Sequence, residues 1–149
     1  MIFMIIIGAV ILGNVVTMLN LPQFVVGAVG SAGLPNLLVI VILMAFVVLL
    51  GCFLEPVSIT LLFVPVVAPL INFLGFSLMW FAVMLTLNME MALITPLVGT
   101  NLYIVQQVAQ SSFGDVVRGV LPFIIIVAIG LLVIGLAPQL SLWLPGTMR

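Results

Sequence analysis

Apolar residues run nearly unbroken along this chain, and the few polar positions gather in clusters that mark where one element gives way to the next. Residues 1–19 are apolar apart from Asn14 and Thr17. At about 1.5 Å per residue this stretch matches a hydrocarbon core of about 30 Å, so it predicts a transmembrane helix. Residues 22–34 open on Pro22 and carry Gly27, Gly30 and Gly33. Too short and too glycine-rich for a crossing, they predict an interfacial helix or a packed connector. Residues 35–73 start at Pro35 and Asn36, where proline suits the first turn of a helix, run apolar to Glu55 and Pro56, and continue apolar beyond. The pattern predicts a helical hairpin with its tip at residues 51–60. Pro65 and Pro69 in the second arm either kink it or place one of them at an end. That arm reaches roughly 25 Å, slightly short for a crossing, which favours a re-entrant turn over a loop on the far surface.

From residue 77 to 110 the pattern predicts one helix in two pieces. Ser77 is placed to cap it, and Trp80 and Phe81 in its first turn suit a membrane interface. Thr95, Pro96 and Gly99 then interrupt it, and Gln106, Gln107, Gln110, Ser111 and Ser112 carry the second piece out of the apolar core. Phe113 to Arg118 carries charges of both signs and predicts a surface stretch. Residues 118–138 predict a last span, with Pro122 near its start, Pro138 at its end, and Trp143 and Arg149 anchoring the exit. The fold class expected is therefore all-α integral membrane: about three transmembrane helices, one discontinuous at residues 95–101, plus a re-entrant hairpin.

Composition fixes the class. Of 149 residues, 66% are hydrophobic and 3% charged, too few charges to cover a soluble surface. A net charge of −1 without a basic cluster argues against nucleic acid and against docking on anionic lipid. With no histidine and one cysteine, intrachain disulfides, histidine catalysis and clustered Cys/His metal sites are excluded. Cys52, in an apolar run, reads as a small packed side chain. Met1 opens directly into Ile2 and Phe3 without a charged leader, so no signal peptide is read; the chain starts as though a longer one were already inside the bilayer. Arg118 and Arg149 fall at opposite ends of one span and give no orientation.

The candidate chemistry sits at the interruption and the hairpin tip. Proline has no N–H and clashes with the carbonyl four residues back, and glycine permits angles other residues avoid. Unwinding around Pro96 releases carbonyls from about Ala92 to Leu97, hard oxygen donors suited to sodium, with Val98 as a further candidate beside them. A helix restarting at Thr100 and Asn101 aims its first N–H groups and positive dipole end at the same gap, which suits a carboxylate. Side chains of Thr100 and Asn101 either add oxygens or cap the second half-helix. The tip begins at Gly51, a further candidate, and Ser58 and Thr60 either cap the outgoing arm or ligate an ion. Glu55 and Glu90 are the charged residues inside apolar runs. A mid-membrane acid faces a cavity or a partner by default; alternatively Glu55 sits on an exposed loop, and Glu90 is a structural acid bonded to Asn88 or Thr86.

These stretches resemble a known family. Gly51-Cys-Phe-Leu-Glu-Pro-Val-Ser58, then Asn88 and Leu93-Ile-Thr-Pro-Leu-Val-Gly-Thr-Asn-Leu102, then Arg118-Gly-Val-Leu-Pro-Phe123 and Leu140-Ser-Leu-Trp-Leu-Pro145 are similar to the C-terminal third of the large membrane subunit of tripartite ATP-independent periplasmic (TRAP) transporters. The resemblance implies an elevator-type carrier of the ion-transporter superfamily, of which this chain is the second of two inverted repeats. It implies sodium-coupled uptake of organic acids handed over by a periplasmic binding protein, beside a small membrane subunit, in the bacterial inner membrane, with sodium as coupling ion and no cofactor. Asp115 and Arg118 would be cytoplasmic and the C-terminus periplasmic. The chain departs from the family at Glu55-Pro-Val57, where aspartate, glycine and threonine are common. It departs again at Pro96-Leu97, where two prolines are common, and at Thr100, where an aliphatic residue is. These departures leave the backbone break in place.

Half of the substrate site would lie on the first repeat, so these residues are expected to transport nothing alone. The competing reading is a non-transporting anchor or assembly subunit, which has no need of a broken helix facing a hairpin. An intramembrane hydrolase would want a histidine or lysine base, and the chain has neither.

Overall fold

A computed structural model describes residues 2–95 and 100–147. Helix α1, Ile2–Met18, ends where Asn20 turns left-handed at φ 53°, and α2, Leu21–Ala32, leaves at a bend of 56°. Asparagine tolerates that backbone better than most residues, and Pro22 at the start of α2 suits a helix opening. The predicted connector is thus a full helix, packed on the second hairpin arm.

The hairpin consists of α3, Asn36–Gly51, and α4, Pro56–Phe73. Pro35 stands at the N-cap, one residue ahead of the expected first turn. The turn is tighter than the predicted 51–60: residues 52–55 make it, and Ser58 and Thr60 already belong to α4. Pro65 and Pro69 both stay inside α4, on its exposed side. At 18 residues, about 27 Å, α4 is long and apolar enough to cross a membrane, which removes the length argument for a re-entrant turn. The helix closes in a Schellman motif: Gly75, at φ 80°, donates to Asn72 O at 3.1 Å and Phe76 to Ile71 O at 3.1 Å. Asn36 Nδ2 then donates to Leu74 O at 3.0 Å, joining the first residue of α3 to the end of α4.

Helix α5, Leu78–Ile94, is followed by α6, Thr100–Ala109, by α7, Phe113–Leu136, and by α8, Pro138–Thr147. Helix α7 starts ahead of the predicted span because Ser112 and Asp115 cap it. Ser112 Oγ donates to Asp115 Oδ2 at 2.6 Å and accepts from the Asp115 N–H at 3.2 Å, so the charged stretch is the first turn of a helix. Pro122 accordingly lies inside α7. The left-handed Gln110, at φ 48°, and a stacked Tyr103–Phe113 pair, 5.2 Å between rings, fold α6 back against α7. Pro138 opens α8, an element the sequence pattern did not predict.

By length, α4 and α7 are candidate membrane spans, and the bent α1–α2 pair is a third if taken as one; α3 and α5 are shorter apolar helices. The architecture is all-helical among the described residues. Helix α5 lies at the centre, packed on α3, α4, α6, α7 and α8, while α1 and α2 lie against α4. Val47, Ile59, Leu70 and Ile71 form the most buried part of the core. Trp80 and Phe81 belong to it too: Trp80 is 3% exposed and its Nε1 donates to Ile134 O at 2.9 Å. The reason is local, since Ile134 O would ordinarily accept from residue 138, and Pro138 has no N–H to give.

Candidate functional site

The hairpin turn and the end of α5 come together. A methyl group at Gly51 would stand 2.4 Å from Ala92 Cβ, so only glycine lets the end of α3 approach α5 this closely. Cys52 beside it is buried, as its apolar setting predicts. Thr60 Oγ1 lies 2.8 Å from Pro56 O and 3.7 Å from Met89 Sδ, so the start of α4 also touches α5. Neither Thr60 nor Glu55 caps α4: Glu55 occupies the N-cap place without a side-chain bond and is exposed. Ser58 is half-buried in the first turn.

Helix α5 stops at Ile94, two residues ahead of Pro96. Thr95 is extended, ψ 131°, the region to which a following proline drives its neighbour. The carbonyls released there are partly recovered, which corrects the expectation that Ala92 O stands free. The Thr95 N–H turns to Ala92 O at 3.3 Å, and Thr95 Oγ1 donates to Met91 O at 2.6 Å. That hydroxyl keeps its acceptor lone pairs. Pro96, Val98 and Gly99 lie outside the described residues, as does the Thr100 side chain; α6 resumes at Thr100, and Asn101 in its first turn is exposed.

Two candidates lie away from this junction. Asn88 is fully buried against the body of α3, its Nδ2 donating to Met44 O at 2.7 Å while Oδ1 has no partner. Glu90 is exposed on another face of α5, bonded to neither Asn88 nor Thr86; the Thr86 hydroxyl donates to Ala82 O at 2.9 Å. A cavity of about 300 Å³ between α3, α5 and α7 has Met44, Trp80, Asn88, Met91 and Leu131 among its walls. A second, of about 400 Å³, lies between α2, α3 and α4 with Leu50, Leu54 and Ile59. Both are lined almost wholly by hydrocarbon.

Among the described residues Arg118 is the only basic side chain, exposed near the start of α7. No three His, Cys, Asp or Glu side chains gather at the junction as a transition-metal site requires, among the described residues. The side chains of Ala92, Met89 and Met91 were not singled out from sequence; only the Ala92 carbonyl was. Nothing distinguishes one alanine or methionine from the others until the packing shows which faces Gly51 or Thr60.

Residues 1–140 match the family described as "Tripartite ATP-independent periplasmic transporter, DctM component". The chain is 32% identical over 145 residues to the C4-dicarboxylate TRAP transporter large permease protein DctM of Vibrio cholerae, covering 97% of this chain and 32% of that protein. It is 30% identical over 145 residues to the corresponding protein of Pseudomonas aeruginosa, covering 97% and 34%. It is 30% identical over 138 residues to the sialic acid TRAP transporter large permease protein SiaM of Vibrio cholerae, covering 93% and 32%. The chain thus spans about a third of the length of these relatives.

Proposed function

The chain belongs to the DctM component of the tripartite ATP-independent periplasmic transporters, and from that membership we propose that it is one portion of a sodium-coupled permease for organic acids. The substrates are carboxylates of the kind its relatives are named for, C4-dicarboxylates or sialic acid. A periplasmic binding protein delivers them, and a small membrane subunit and the rest of the large permease complete the assembly in the bacterial inner membrane. The chain takes no part in bond-making chemistry.

One observation carries this reading: the C-terminal end of α5 lies beside a hairpin turn, with Gly51 packed against Ala92. An interrupted membrane helix leaves main-chain groups that must be matched by protein, water or a solute, and a carrier uses that requirement as its binding site. Carbonyls ahead of the gap suit sodium. The first amides of α6 suit a carboxylate. Thr95, Pro96, Val98, Gly99, Thr100 and Asn101 supply this side of the site, with Gly51, Glu55, Ser58 and Thr60 opposite, and Asn88 and Glu90 as further polar groups on α5.

The test is uptake by the assembled permease in proteoliposomes under an imposed sodium gradient, with the binding protein loaded outside. Replacing Pro96 and Gly99 together by alanine is expected to abolish sodium-dependent uptake while assembly persists. Undiminished uptake would mean an anchor rather than a carrier.

A further inference from the structure

The cavity between α3, α5 and α7 grades from exposed apolar walls, among them Val41 and Leu132, to buried ones, among them Met44, Met84 and Asn88. Asn88 Nδ2 donates to Met44 O at 2.7 Å, and that bond fixes the amide's orientation, since the reverse would set two acceptors together. Oδ1 is thereby left, among the described residues, as a fully buried acceptor without a partner. Trp80 is the other polar side chain on these walls, and its N–H is already committed to Ile134 O at 2.9 Å.

An unpartnered acceptor surrounded by hydrocarbon is costly, so a donor has to arrive with whatever fills the cavity. Water suits the place poorly, because it needs about two to four polar partners and these walls offer a single free acceptor. A lipid tail has no donor at all. An apolar molecule with one hydroxyl meets both demands, its body filling the hydrocarbon space and its O–H donating to Oδ1. At about 300 Å³ the cavity stands at the small end of ligand pockets, which favours a guest well below the size of a phospholipid. Met44, Met84 and Met91 on its walls are unbranched thioethers, which repack around a guest more readily than branched side chains do and so open a way to Oδ1. The exposed walls are apolar, so entry is from the bilayer.

We propose that this cavity is a binding site for a membrane-dissolved apolar alcohol whose hydroxyl donates to Asn88 Oδ1. It lies away from the hairpin turn and the end of α5, and the inference stands whether or not the chain serves in a carrier.

The test adds octanol carrying a diazirine to the assembled permease in lipid vesicles and activates it with light. Its methyl ether, which keeps the body and loses the O–H, is the comparison. Mass spectrometry is expected to find alcohol adducts on the cavity walls severalfold above those of the ether. Asn88→Leu is expected to erase that preference, leaving the two labels equal. Ala45→Trp, at an exposed wall position, leaves Asn88 unchanged and is expected to block both labels, so the proposal stays open to refutation even if Asn88→Leu fails to assemble. Equal labelling by alcohol and ether in the unaltered chain, a preference that persists in Asn88→Leu, or wall adducts that survive Ala45→Trp would each overturn the proposal. So would walls labelled as well by a phospholipid with a diazirine in its acyl tail, adducts confined to outward-facing residues such as Ile126, or no adduct because the rest of the permease fills the cavity. Uptake is not the readout. A permease that carries nothing leaves this site standing, and a cavity that takes no label leaves the transport reading standing.

Discussion

Gly51 carries a requirement that can be isolated. Gly51→Ala forces a methyl group into Ala92 Cβ at 2.4 Å, and overpacking of this kind costs about 1–3 kcal/mol. The expected result is a lower thermal midpoint for the purified assembly, largely restored by adding Ala92→Gly; a double variant as unstable as the single one would show that the contact is not the cause. Trp80→Phe keeps most of the buried ring but strands Ile134 O, and leaving such a group unpaired costs about 1–3 kcal/mol by the same measurement. Asn88 behaves differently, because Asn88→Leu removes an unpartnered Oδ1 together with one hydrogen bond. Its effect on stability should stay within about 1 kcal/mol, and a loss of uptake at unchanged midpoint would assign the amide to solute rather than to the fold. Gly51 was singled out in the sequence by its place at a predicted turn, but its partner was not. The partner of Trp80 was not legible either, because nothing near it in sequence points to a carbonyl left without a donor by a proline 58 positions on.

Among the helices, legibility followed the backbone chemistry. Proline, glycine and asparagine mark most of the boundaries: Asn20 and Gly33 around α2, Pro35 and Pro56 at the two hairpin arms, Gly75 after α4, and the gap between α5 and α6. Those residues act through φ, ψ or a missing N–H, and such effects are local. The errors came where a boundary depended on side-chain hydrogen bonds or on context. The α7 start moved forward because a charged stretch that reads as surface is also a good first turn once Ser112 and Asp115 pair. Ser112→Ala should therefore cost about 0.5–2 kcal/mol and show as faster amide exchange over residues 113–116, with the rest of α7 unchanged. Helix α8 was missed because Pro138 suits the start of a helix as well as the end of one.

At the scale of the molecule, the fold class and family membership were legible because both rest on bulk properties and long motifs: an apolar chain interrupted by a tip and a Thr-Pro break in fixed order. The composition of the site was not, since the described residues bring together a turn and a helix end whose one charged side chain, Glu55, is exposed. This chain alone, in liposomes with a sodium gradient, should accumulate no organic acid; measurable uptake would refute the division of the site between this portion and the rest. The amide of Asn36 on Leu74 O has a mechanical corollary. It pins the two hairpin arms where they are furthest from residues 52–55, like tweezers riveted at the base. Any parting of the arms is then greatest at the free end, beside the α5 terminus, and least where Asn36 holds Leu74.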